Sequence, residues 1–526
     1  MRRMKTSAKV IIVLFVLGGV FGLYKLAENQ GWLSKIAPQG KQEQDIAKGT
    51  FSFGGDKEKA TPVSKDGDKP IRVSVVTWGG YAGGQYFNNG FKPFEESRFY
   101  RDYGVKVEFI VNDDPVASME SWKAGAVDVM WTTVDAFTTM VAPLKEYSPK
   151  IIFQADWSRG GDAIVVRRGI ESVADLKGKK VAVSFASPSH TFLLWLLDAG
   201  DIKYSEIQVV QAPSAVDAAA YFKAGKVDAA VVWSPDDEDC VTNVKGSKVL
   251  KSTREATHII ADVFFAKDSY IQSHKKELKG LVEGWMTGAS EINTSDEAKK
   301  KAAKILAGGF SGVQEDFTIK AINNARLCTF GDNLNFFNMK GSYTGVKGED
   351  IYNAMALAYN KINLAPEILP PWRQVIDTSI LSSIDLQGDK HNAEGQKKFT
   401  APTEEVKVAK AFSTKRLTIT FPSGGSDLDE NAKYIIQLKF GEIAKSFAAA
   451  RIRIEGNTDS VGGDDMNKKL SLRRAQAVAD FLIKEYKFDT NRFIVVGNGP
   501  SKPVADNNTN EGKAKNRRTD FELLSE

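Results

Sequence analysis

Asp459 and Arg474 are the pair in this chain whose types and spacing could do chemistry. They stand fifteen positions apart in Gly456–Ala475, GNTDSVGGDDMNKKLSLRRA, which reads as a strand end, a loop and a helix. On that helix Leu470, Ala477, Val478, Phe481 and Leu482 form an apolar stripe. Arg474 falls inside the stripe, where a guanidinium is costly unless something ionic meets it. Asp459, at the end of the preceding strand, is the expected neighbour. A carboxylate beside a guanidinium makes either an internal salt bridge or a clamp for a zwitterion. In the clamp the acid takes an ammonium and the guanidinium forks onto a carboxylate.

A second set lies at the ends of apolar runs in the middle of the chain. It comprises Trp78 and Tyr81, Trp131 and Thr132, Ser187, Ser189 and His190, and Trp233. Aromatic faces suit a flat or cationic group. Ser187-Pro188 and Ser234-Pro235 read as helix starts, whose free N–H groups attract anions. The four consecutive acids Asp236–Asp239 argue against a strongly anionic ligand on that side. No Ser/His/Asp set, phosphate loop or paired-carboxylate motif points to catalysis. Four histidines, and two cysteines without metal-ligand spacing, leave no metal site or cofactor to expect. Cys240 and Cys328 read as unpaired buried thiols. A net charge of +5 over 526 residues, with no basic tract interleaved with aromatics, argues against nucleic acid.

The elements that must position these residues fall into five stretches. Residues 1–33 carry Arg2, Arg3, Lys5 and Lys9 ahead of a charge-free run from Val10 to Tyr24. This reads as an uncleaved signal anchor, a single transmembrane helix with the bulk of the chain exported; cleavage after Gly22 or Ala27 is the alternative. Residues 34–69 are polar and read as a tether, with a coil reach of about 30 Å. Residues 70–382 alternate apolar strands with helices, the pattern of parallel α/β sheets. Within them Lys123–Asp128, KAGAVD, recurs one hundred residues on as Lys223–Asp228, KAGKVD, which implies two similar lobes about a cleft. Residues 383–414 read as a second polar linker and 415–526 as a C-terminal domain.

Two resemblances add to this reading. Gly456, Thr458, Asp459, Gly462, Asn467, Leu470, Ser471, Arg474 and Ala475, with Val495–Arg518 downstream, resemble the OmpA-like peptidoglycan-binding domain. The resemblance implies an α+β fold in which Asp459 and Arg474 hold the amino and carboxylate groups of a diaminopimelate stem peptide. Thr458, Asn467 and Arg518 would support them. Asn457 replaces the family's usual histidine, and Gly497-Asn498-Gly499 its usual Gly-Tyr-Gly turn. Ser172–Trp233 resembles the substrate-binding proteins of nitrate, sulfonate, taurine and pyrimidine-precursor ABC importers. That implies a two-lobed periplasmic-binding-protein fold, with Ser187, Ser189 and His190 lining the ligand site. The cysteine-rich iron motif of the pyrimidine-precursor synthases built on this fold is absent.

The expected protein is therefore not an enzyme. It is an inner-membrane, single-pass solute-binding or sensing protein of the periplasm, moored to peptidoglycan and taking an unidentified small molecule. The alternatives are a component that delivers solute to an ABC permease, and an envelope scaffold without ligand.

Overall fold

The computed structural model describes residues 69–525. The expected anchor and nearly all of the 34–69 tether lie outside the described residues. Among the described residues no helix is long and apolar enough to cross a membrane.

Three sheets organise the described chain. Its strands are β1 (Ile71–Val75), β2 (Val107–Val111), β3 (Val129–Thr133), β4 (Pro149–Ser158), β5 (Asp162–Val166), β6 (Lys180–Ser184), β7 (Gln208–Ala212) and β8 (Ala229–Trp233). There follow β9 (Lys248–Ser252), β10 (Ala261–Lys267), β11 (Ala325–Leu327), β12 (Ser413–Leu417), β13 (Arg451–Asn457), β14 (Phe493–Gly499) and β15 (Thr519–Leu524). The first lobe is built on the order β11-β4-β10-β3-β1-β2, the second on β7-β6-β8-β5-β9, and the C-terminal domain on β12-β15-β13-β14.

The lobes are mixed sheets, which departs from the purely parallel expectation. β10 runs antiparallel to both β3 and β4, and β5 antiparallel to both β8 and β9. The crossing accounts for β5 and β10: β4 leads directly into β5, and β9 returns to β10, so each enters its lobe travelling the opposite way, and β11 adds a second such strand at the edge of the first lobe. The parallel pairs β1–β2, β1–β3, β6–β7 and β6–β8 keep near-continuous apolar runs because helices cover both faces.

The repeated KAG turn does the same work in both lobes. Gly125 and Gly225 take φ of +74° and +77°, ending a helix in the left-handed region that favours glycine. The aspartate that follows ties the next strand to its neighbour. Asp128 accepts from the Arg72 amide and guanidinium, and Asp228 accepts from the Lys180 amide. The tryptophans are not equivalent, however. Trp131 stands third in β3 while Trp233 stands last in β8, so Thr133 is the true counterpart of Trp233.

The 383–414 stretch, expected as a loose linker, is a packed strap. Ile384, His391, Phe399 and Phe412 are buried, and Glu394 accepts two bonds from Arg159, at 2.6 and 3.1 Å. Its polar composition satisfies partners on both sides rather than water alone.

Candidate functional site

The helix Asp464–Tyr486 lies across β13 and β14. Its buried face is Asn467, Ser471, Ala475, Val478, Ala479 and Leu482. Small residues fill the first half because the helix sits directly on strand backbone. A Cβ at Gly456 would lie 2.1 Å from the Ser471 carbonyl oxygen, and one at Gly497 2.6 Å from that of Lys468. The Ser471 hydroxyl accepts from the Gly499 amide at 2.9 Å and locks the crossing. The core stripe is thus offset from the expected one, and Arg474 stands on its border, half-buried.

Asp459 and Arg474 are not bonded to each other. The Arg474 guanidinium donates to the carbonyls of Gly425 at 2.9 Å and Pro422 at 3.2 Å, and lies 4.8 Å from the Phe421 ring centre. Burial, then the nearby charges of Arg473 and Arg517, hold its pKa below the ordinary value; no carboxylate is among the groups acting on it. Among the described residues no anion is set against this fixed cation. Asp459 is buried, accepts from the Val461 amide at 3.0 Å, and is met by Arg517 at 2.6 Å. Arg517 is half exposed. Thr458 donates to the Asp459 carbonyl, and Asn467 donates to the Val461 carbonyl, so both hold the loop.

Arg518 does not reach this group. Its guanidinium forks onto Asp520 at 2.9 and 3.0 Å, and it is buried. One residue decides the role: Arg517 ends the helix Asn510–Asn516 facing Asp459, whereas Arg518 enters β15 facing inward. Asn457 accepts from Asn498 at 3.0 Å and donates to Asp520. The two residues that depart from the usual pattern are thus bonded to each other.

The second group lies where the lobes meet, and the lobes are shut. Asp135 of the first lobe accepts from Thr191 of the second at 2.5 Å, and Tyr359 bonds the same hydroxyl at 2.7 Å. Trp78 donates its indole N–H to Asp156 at 3.3 Å, and its ring lies over Gly161, where a Cβ would stand 2.4 Å away. Tyr81 is buried against Phe264, Trp131 and Trp285. Trp131 is partly buried and Trp233 is 38 % exposed.

Three expected cleft residues take other roles. Thr132 turns to the opposite face of β3 and donates to the Thr133 carbonyl; Thr133 occupies the cleft side. Ser187 donates to the Ser184 carbonyl at 2.7 Å and shapes the turn before its helix. His190 is buried, stacked on Phe185, within 3.0 Å of the Tyr204 hydroxyl. Burial lowers its pKa to about 4, so it is a neutral core residue. Ser189 is buried and its hydroxyl has no partner. Cys240 and Cys328 are free and buried.

What pattern reading missed is a set of carboxyls. Asp156, Asp162 and Asp262 join Asp135 at the lobe junction, all raised by burial, Asp162 to about 7 and Asp135 to about 6. They lie far apart in sequence, so no spacing announces them.

A cavity of about 470 Å³ lies elsewhere, between the hinge, the strap and the C-terminal domain. Its cationic groups have partners: Arg159 has Glu394, Lys445 has Asp350 and Glu442, and Arg492 donates to three carbonyls. It is a seam between packed parts.

Residues 420–517 match the model of the OmpA family, and residues 95–296 match that of the NMT1/THI5 like family. The chain joins an NMT1/THI5-like region to an OmpA family domain. Outer membrane porin F of Pseudomonas aeruginosa is 42 % identical over 111 residues, 21 % of this chain and 31 % of that one. Peptidoglycan-binding protein ArfA of Mycobacterium tuberculosis is 37 % identical over 103 residues, 20 % of this chain and 31 % of that one. The chain thus spans about a third of the length of these curated relatives. Among solved structures, the periplasmic aliphatic sulphonate binding protein SsuA of Escherichia coli is similar at 18 % identity and a TM-score of 0.46, covering 64 % of this chain and 97 % of that one. Asp459, Asn467 and Arg474 fall inside the OmpA match, and Asp135, Asp156, Asp162 and Asp262 inside the NMT1/THI5-like match.

Proposed function

We propose that this protein is a wall-attached binding protein of the bacterial periplasm. Its OmpA domain grips the diaminopimelate stem peptide of peptidoglycan, and its two-lobed region closes on a small molecule. The observation that carries the first half is Arg474: a positioned, half-buried guanidinium with no carboxylate partner. A stem-peptide carboxylate supplies that partner, and Asp459 takes the neighbouring ammonium, with Arg517 yielding or sharing. The similarity to the peptidoglycan-binding protein ArfA of Mycobacterium tuberculosis supports this reading. The basic residues Arg2, Arg3, Lys5 and Lys9 ahead of Val10–Tyr24 support an inner-membrane anchor. A chain held at both ends suits sensing or retention of a solute better than free delivery to an ABC permease.

The test is sedimentation with purified diaminopimelate-type sacculi. The parent chain should pellet with them. Arg474→Ala should lose at least ten-fold in affinity, because a charge-assisted fork is worth about 1.5–3 kcal/mol. Arg518→Lys should bind like the parent. Undiminished pelleting of Arg474→Ala would remove the proposed grip.

A further inference from the structure

Asp262 stands opposite Asp156 on one side and Thr133 on the other, so the three side chains lie abreast on one sheet face. Asp162 begins the first strand of the other lobe, paired with Trp233. Asp135 follows Thr133 and reaches across to Thr191. Asp135, Asp156 and Asp162 each keep one oxygen buried without a donor. Thr133, only 1 % exposed, sets its hydroxyl beside Asp135. The groups that act on the four carboxyls are hydroxyls, backbone amides, two indoles and one another; no Lys, Arg or His is among them. Tyr81, and Tyr359 beside Thr191, are the other titratable groups facing them. Buried carboxyls with open acceptor positions and no counter-charge are stable only when protonated or when a cation joins them.

We propose that the cleft binds a small organic cation carrying several N–H donors, an alkyl diamine, polyamine or guanidinium compound. The inference rests on the reading that the cleft takes a small molecule, and it names the class. The acids supply acceptors from both lobes, so a ligand with separated donors draws the lobes together. Trp78, Trp131 and Trp233 supply faces that favour a cation. Among the described residues no three acidic, histidine or cysteine side chains converge as a metal ion requires, which favours an extended molecule. An anion would face four carboxyls.

The experiment is thermal unfolding of the full-length protein at pH 7.5 with 1 mM putrescine, spermidine, agmatine or choline. Ethanesulfonate, uracil and MgCl2 are the contrasting probes. At least one amine should raise Tm by about 3 °C, the shift that a hundred-fold excess over Kd gives. Asp156→Asn and Asp162→Asn should each weaken that amine at least ten-fold while still pelleting with sacculi. An amine shift that survives both substitutions, a shift from MgCl2 alone, or silence across the amines would overturn the inference. A shift from ethanesulfonate or uracil alone would overturn the cationic class and leave the cleft a binding site. Silence across every probe would count against the binding cleft itself.

Discussion

At the scale of single residues, the burial of the cleft acids has a measurable consequence. Asp162 keeps its proton to about pH 7 in the folded chain, because burial and then the charge of Asp135 disfavour its anion. The unfolded chain releases that proton near pH 4. The folded state therefore binds more protons between these values, and the empty protein loses stability as pH rises from about 4 to 7. Asp162→Asn should leave stability unchanged at pH 4 and raise it at pH 8, by at most about 4 kcal/mol for three pKa units. Denaturant melts at the two pH values measure this; equal effects at both would mean that the acid is not held out of water. The same scale shows why pattern reading named Thr132 and Arg518 where Thr133 and Arg517 face the sites. For Thr132 and Thr133, alternation along a strand turns successive side chains to opposite faces; Arg517 and Arg518 part where the helix Asn510–Asn516 gives way to β15.

At the scale of elements, the C-terminal site depends on a helix pressed onto two strands. Gly456 and Gly497 leave no room for a side chain beneath Ser471 and Lys468. Gly456→Ala should cost about 1–3 kcal/mol by overpacking and, by lifting the helix that carries Arg474, should weaken sedimentation with sacculi. A variant as stable as the parent that binds equally well would show that the close crossing is not what positions the arginine. The C-terminal strand, loop and helix were legible because their motif residues are contiguous. Most strands of the lobes were legible as apolar runs. β4 and β10 were not, because Gln154, Asp156 and Asp262 interrupt them with polar groups aimed at buried sites. The acid cluster was hidden for the same reason: three members are polar residues in ordinary strands, and Asp135 sits in the first turn of the helix Val134–Met140.

At the scale of the whole described chain, the OmpA domain rests on both lobes. Lys415 donates to Asp198 of the second lobe at 2.8 Å, and Lys445 pairs with Asp350 on the helix Gly348–Lys361 at 3.2 Å. The Ser446 carbonyl accepts from the His258 amide, in the crossing from β9 to β10, at 3.1 Å. None of these contacts uses the loop after β13 or the first turns of its helix. There Val461, Met466 and Leu472 stay 60 %, 71 % and 45 % exposed around the Asp459–Arg474 group. The face proposed to bind the wall is therefore left open by these contacts, which the domain makes with the lobes through other residues.

Calorimetric titration of the full-length chain with meso-diaminopimelic acid tests the grip most directly. The parent should bind one molecule per chain, Asp162→Asn should bind equally, Arg474→Ala should not bind, and pimelate, the same diacid without the ammonium groups, should be at least ten-fold weaker. Equal heats from Arg474→Ala and the parent would contradict the account.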